Sequence, residues 1–171
     1  MQHDGTSPAE AAAILEEGQT AVARLAARVP EEEAVRRNAI GGGEWSLKDL
    51  LGHLAHWEEL ALETIARSQA DDRISRVALD DVDEENANDI ARKLDWPLER
   101  VRTEARSTHE RLLAEIRSTS VEDWNRPRPF DGGGERTLGS MLGSVLGAPE
   151  RPFGHAWAHL REVEEYLSSL G

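Results

Sequence analysis

The chain contains no cysteine. Disulfides, thiolate metal sites and a cysteine nucleophile are therefore excluded, and any metal would be held by imidazole, carboxylate or water. No apolar run approaches the length needed to span a bilayer, so no membrane association is expected. The opening MQHDGTSPAE has no basic stretch followed by an apolar one. It does not read as a secretory signal, and the expected location is the cytoplasm. Basic charge is in deficit: 20 Lys and Arg stand against 33 Asp and Glu, a formal net charge of −13. Binders of a phosphate backbone present a basic patch, so nucleic acid is not an expected partner. The glycine triplets at 41–43 and 132–134 lack the Lys-Ser or Lys-Thr of a phosphate loop. No GxSxG elbow appears either, which leaves serine-triad chemistry without support. Phenylalanine and tyrosine are rare, yet there are five tryptophans. A solvated surface does not carry tryptophan freely, so these mark a core or a pocket.

The 171 residues fit one domain, with residues 1–6 read as a flexible tail. Four long helices are legible. The first opens on a capping box, Ser7 with Glu10, and Pro8 takes its first helical position. Ile14, Leu15, Val22, Leu25 and Val29 form its apolar stripe, and Pro30 ends it. The second opens on Ser46 and Asp49, a further capping box, and buries Leu47, Leu50, Leu51, Leu54, Trp57, Ala61 and Ile65, ending near Ser68. Residues 69–95 are acidic and less periodic, with room for a short helix. Asp81, Asp83 and Glu85 alternate as in a calcium loop, but the sixth and twelfth places hold Asn86 and Arg92 instead of glycine and glutamate. This stretch reads as a solvated charge run. The third helix starts near Asp95 as cap, with Pro97 in its first turn, and buries Leu98, Val101, Ala105, Leu112 and Ile116. A Pro- and Gly-rich loop follows. Residues 137–170 form a short glycine-dotted turn of helix, then a stronger helix with Phe153, Trp157, Leu160, Val163 and Leu167 inward. No strand is predicted. The fold class is all-α, a four-helix bundle with a long second connection.

His155 and His159 are four residues apart, so they share a helix face and can bind one divalent ion. A zincin has the same spacing with a glutamate after the first histidine; here that place is Ala156, so any base comes from elsewhere. On the second helix, a turn of about 100° per residue puts His53 at the edge of the leucine stripe, where a side chain reaches an interhelical cleft. His56 falls nearly opposite the stripe and reads as solvated. His3 lies in the tail, and His109 stands mid-helix without a partner in the sequence. His155 is the least favourably placed of the pair, to one side of its stripe.

EWSLKDLLGHLAHWEE, residues 44–59, resembles the opening signature of the DinB-like superfamily, with a histidine eight residues after the tryptophan. FGHAWAHLREVEEYL, residues 153–167, is similar to its closing signature. DVDEENANDIARKLDWPLERV, residues 81–101, resembles the middle of the ClbS/DfsB branch. The resemblance implies a DinB/YfiT-like bundle running up-down-down-up, and a divalent metal, zinc or nickel foremost, held by His53, His155 and His159. It implies a homodimer. Relatives include S-transferases and isomerases that use low-molecular-weight thiols, and, in the ClbS/DfsB branch, a cyclopropane hydrolase that protects against a genotoxin. That branch does not uniformly keep the three histidines.

The leading expectation is a metal-dependent enzyme acting on a small molecule, by thiol S-transfer or hydrolysis, in detoxification or stress response. An ion on three neutral imidazoles keeps its charge and room to activate a water or a thiol co-substrate. Trp45, Trp57 and Trp157 are candidate pocket walls, and Asn86 a pocket residue by resemblance. Asp49 is a candidate acceptor orienting a histidine, beside its capping role. The alternatives are a non-catalytic bundle that sequesters a small molecule or toxin, or a metal-independent hydrolase like ClbS.

Overall fold

Side-chain caps decide where most of the helices begin. The computed structural model describes residues 5–75, 81–148 and 151–171; His3 and the first four residues of the expected tail lie outside them. Helix α1 (Pro8–Ala26) starts at Ser7, whose hydroxyl accepts from Glu10 N while the Glu10 carboxylate accepts from Ser7 N. Thr6, read from the sequence as part of the tail, has its O bound by the indole of buried Trp124 at 2.9 Å. After the short α2 (Glu31–Ala34), α3 (Leu47–Asp71) starts on the Ser46–Asp49 box and runs three residues past Ser68.

The acidic connection holds α4 (Val82–Arg92), whose N-cap Asp81 accepts from Asp83 N and Glu84 N. Its charges are not all solvated. Asp89 is buried and pairs with buried Lys93 at 3.0 Å, and Lys93 donates to Gly52 O at 2.9 Å. Lys48 donates to Leu94 O and Trp96 O, at 2.7 and 3.0 Å. These two lysines fasten the connection to α3: Lys48 binds carbonyls of the turn after α4, and Lys93 binds a carbonyl within α3.

Helix α5 (Leu98–Ser118) is capped by Pro97, not Asp95, and no side chain caps it. Proline suits that place because it has no N–H to satisfy. The short α6 (Val121–Asn125) follows. Strands do occur: β1 (Arg128–Pro129) pairs antiparallel with β2 (Glu135–Arg136) across the glycine triplet. Two residues per strand leave no periodicity to read. Helix α7 (Leu138–Val145) is a regular two-turn helix, capped by Thr137 and buried through Leu138, Met141, Leu142 and Val145. The last helix is α8 (His155–Ser169).

Side-chain partners fix the topology. Glu16 meets Arg117 and Glu31 meets Arg102, so α1 and α5 run antiparallel. Lys93 ties Gly52 beside Val101, and Glu58 meets His109, so α3 and α5 run parallel. Trp157 lies on Ile14 and Gly18, while Leu167 lies by Leu25 and Arg28, so α8 runs with α1. The order is up-down-down-up, and the long connection is what lets α3 and α5 point the same way. The apolar interior falls into two clusters. One gathers Leu15, Trp57, Ile65, Leu112, Trp124 and Phe153; the other gathers Val22, Leu47, Leu50, Leu54, Val101 and Val163. His53, whose ring meets Trp57 of the first cluster and Trp45 packed against the second, and His155, between Phe153 and Ala156, sit at the seam between them.

Candidate metal centre

The Ser46–Asp49 box sets the start of α3, and His53 follows on its second turn. Asp49 Oδ2 accepts from Ser46 N and Ser46 Oγ, both at 2.8 Å. The capping role accounts for this carboxylate, and no hydrogen bond joins it to a histidine. His155 opens α8 and depends on the turn before it. Phe153 has φ +60, in the left-handed region that a bulky residue enters at a cost of roughly 1–2 kcal/mol. Its ring is 2 % exposed and stacked 5.9 Å from Trp124, which holds the turn in place. His155 N then donates to Leu146 O at 3.0 Å, tying the start of α8 to the end of α7. His159 follows one turn later.

The three rings converge. His53 Nε2 and His155 Nε2 are 3.0 Å apart. Ring centroids are 4.9 Å apart for His53–His155, 5.3 Å for His53–His159 and 5.1 Å for His155–His159. One nitrogen from each lies within 4.8 Å of the others, so the group can hold a metal ion. Ligands of a tetrahedral zinc, at about 2.0–2.1 Å from the ion, stand about 3.3 Å from one another. The donor chemistry fits as well. Burial, reinforced by the neighbouring imidazoles, pushes the His53 pKa down to about 2, and burial with the neighbouring His159 pushes His155 to about 3. Both rings are therefore neutral at ordinary pH, as ligation requires. Buried Nδ1 of His53 has no hydrogen-bond partner among the described residues. His159 Nδ1 donates to Glu162 Oε1 at 2.9 Å, which leaves its lone pair on Nε2.

Glu162 uses both oxygens. Oε2 accepts from Gly41 N at 3.1 Å. Gly41 has φ +63, and a methyl group there would stand 2.7 Å from the Trp45 ring. Only glycine lets this loop fold over Trp45, whose ring lies 4.9 Å from His53. A single carboxylate thus links His159 to the loop that carries Trp45. Glu162 was not among the sequence candidates; its place three residues after His159 was the signal available.

The centre opens into a cleft of about 350 Å³ lined by Trp45, Trp57, Val82, Asn86, Ser144 and Val145 beside the three histidines. Asn86 Oδ1 accepts from Trp57 Nε1 at 3.1 Å, so α4 helps to fix the indole. Trp157 is not part of this wall. Its indole donates to Ile14 O at 3.2 Å and fills the space above Gly18, where a methyl group would come within 2.9 Å of it. The stripe of α8 faces α1 at that position, which is why an inward reading of Trp157 did not lead to the cleft. His56 is not solvated either. It is buried, with Nε2 2.8 Å from Glu85 and Nδ1 3.5 Å from Asp89. The folded-back connection covers the face that looked free. His109 has a partner as well, Glu58 Oε1 at 2.8 Å.

Known proteins place these features in context. The fold is similar to that of an uncharacterised protein from Escherichia coli UTI89, with TM-score 0.76, 15% identity, and 96% of this chain and 94% of that one covered. It is similar to the colibactin self-resistance protein ClbS, solved in complex with a dsDNA, with TM-score 0.74, 15% identity and coverage of 95% and 98%. It is also similar to the mycothiol-dependent maleylpyruvate isomerase, with TM-score 0.60 and 16% identity; 96% of this chain covers 60% of that one. At these identities the likeness is one of fold. No curated protein matches the sequence. The DinB superfamily profile matches residues 14–163, and the chain belongs to that superfamily.

Proposed function

We propose that the protein is a divalent-metal-dependent enzyme that acts on a small molecule by thiol S-transfer or hydrolysis. The observation that carries this reading is the convergence of three histidines, two of them held neutral, at the floor of an open cleft. His53, His155 and His159 would hold the ion, zinc or nickel foremost. Bound there, it would act as a Lewis acid and bring a water or thiol toward its ionised form near neutral pH. The chain does the rest. No carboxylate lines the cleft among the described residues, so the ligand set is uncharged and the site favours an anionic nucleophile such as a thiolate. Glu162 holds His159 in the ligating tautomer. Trp45, Trp57, Val82 and Val145 give the substrate apolar walls and exclude water from its body, with Asn86 fixing one wall.

The likeness to a mycothiol-dependent isomerase supports a low-molecular-weight thiol as co-substrate. The likeness to ClbS over nearly its whole length favours a second reading, a metal-independent hydrolase of the same fold. A net charge of −13 argues for a small-molecule substrate over nucleic acid in both. The two readings part in one experiment. Tag-free protein, stripped and reloaded with zinc or nickel, is assayed for conjugation of mycothiol or bacillithiol to electrophiles and for hydrolysis of strained or activated rings. The first reading predicts turnover that needs metal and disappears in His53→Ala. Turnover retained by the stripped protein would select the second, and binding without turnover would leave a sequestering bundle.

A further inference from the structure

A second constellation lies on the far side of α3 and shares no residue with the metal centre. Between α1, α3 and α5 is a cleft of about 320 Å³. Small side chains line it, Ala23, Ala26 and Ala27 on one side and Ala105 on the other, along with Leu51 of α3. His109 reaches into it. Glu58, itself buried, binds His109 Nδ1 at 2.8 Å and so orients the ring with Nε2 toward the cleft, where no side chain meets it among the described residues. Arg102 and Arg106 stand on the same face of α5. Arg102 has one ion pair, with Glu31 at 3.9 Å, and Glu31 is almost wholly exposed; Arg106 has none among the described residues. Glu110 is the one acidic group at the rim. Gln19 lines the opposite end, and its Oε1 is buried with no partner among the described residues.

The antiparallel packing of α1 on α5 orders these groups. The guanidiniums lie at the Ala27 end, His109 in the middle and Gln19 at the other end. Eight residues separate Gln19 from Ala27, about 12 Å along the helix axis. An apolar trough with a few polar groups at set positions is what a small-ligand site consists of. We infer that this cleft binds a small apolar carboxylic acid with a polar group at its far end. The carboxylate meets Arg102 and Arg106, the apolar body lies on the alanines beside His109 Nε2, and the far polar group satisfies Gln19. Arg106, which has no ion pair among the described residues, and Arg102, paired only with exposed Glu31, give the rim the guanidiniums that complement a carboxylate.

The probe is 4-hydroxyphenylacetate, titrated calorimetrically into the full chain. Saturable one-to-one binding is expected. 2-(4-Hydroxyphenyl)ethanol, which lacks the carboxylate, should bind about tenfold more weakly, the scale of a charge-assisted hydrogen bond. Arg106→Gln should weaken the acid to a similar degree. Ala23→Leu should abolish binding by filling the trough; Ala23 is exposed, so the fold survives, with unchanged circular dichroism as the check. His53→Ala should leave binding unaltered, which separates this site from the metal centre. The inference is overturned by absence of saturable binding into the millimolar range or by equal affinity for the alcohol. It is equally overturned by binding that survives Ala23→Leu or is lost in His53→Ala.

Discussion

On α3, His53 and His56 are three residues apart, yet they belong to different kinds of site. His53 faces His155 and His159, and no carboxylate bonds to it. His56 faces Glu85 and Asp89, and His109 on the neighbouring helix faces Glu58. A histidine beside a buried carboxylate is held in a fixed pair, its charge or its proton already matched. Burial and the neighbouring imidazoles instead hold His53 and His155 toward the neutral form, and the three rings that face one another aim at a common point. The contrast teaches that burial alone does not mark a ligand, since His56 and His109 are as buried as His53, while His155 and His159 are half-buried. What the ring faces does.

Four perturbations test that contrast, from the largest expected effect to the smallest. Acid should act most broadly on metal-free protein. His53 and His155 have folded pKa values of about 2 and about 3, below the ordinary 6.5, so between those limits the unfolded chain binds more protons than the folded one. Stability should therefore fall as pH drops below about 6.5 and keep falling toward about 3. The His53→Ala/His155→Ala double variant should flatten that part of the thermal-midpoint profile; an unchanged slope would show that these rings are not held neutral. Glu58→Ala breaks a buried pair and should cost about 3–5 kcal/mol in denaturant unfolding, with zinc affinity unchanged. Were zinc affinity to fall with it, the two histidine groups would not be separate.

His155→Ala should do the reverse, lowering zinc affinity more than about a hundredfold, beyond the range for loss of an orienting partner, while leaving the unfolding midpoint close to that of the parent. Glu162→Gln should lower zinc affinity by about tenfold. The two donors meet different carboxylate oxygens, and in glutamine one of these becomes an NH2 that cannot accept, so one link is lost and Trp45 fluorescence should change in the same variant. A change in neither would remove Glu162 from the centre.

Much of the scaffold was legible because it is local. Capping boxes at Ser7 and Ser46 and periodic stripes need only near neighbours in the chain, and they placed the starts of α1 and α3 correctly; α1 stops at Ala26, short of Pro30, and α3 runs on to Asp71. The metal candidates were half legible: four-residue spacing put His155 and His159 on one face, and rotation put His53 at the edge of its stripe. Their meeting is a contact across 102 residues, and it came from the family's paired signatures. The errors at His56, His109 and Trp157 share one cause. Periodicity tells which side of a helix faces inward, not what covers the other side. His56 looked exposed until α4 folded over it, and His109 looked unpartnered because Glu58 lies 51 residues away. Trp157 did point inward, but toward α1, where Gly18 makes room for it. Asp95 lost its place as cap to Pro97, two residues on, a shift that a local reading of DWP does not resolve.

Cobalt titration of the stripped, tag-free protein tests the central claim most directly. Three imidazoles converging on one ion predict visible ligand-field absorption that saturates at one equivalent and is lost in each of His53→Ala, His155→Ala and His159→Ala. Absorption that never saturates, or that persists in all three variants, would contradict it.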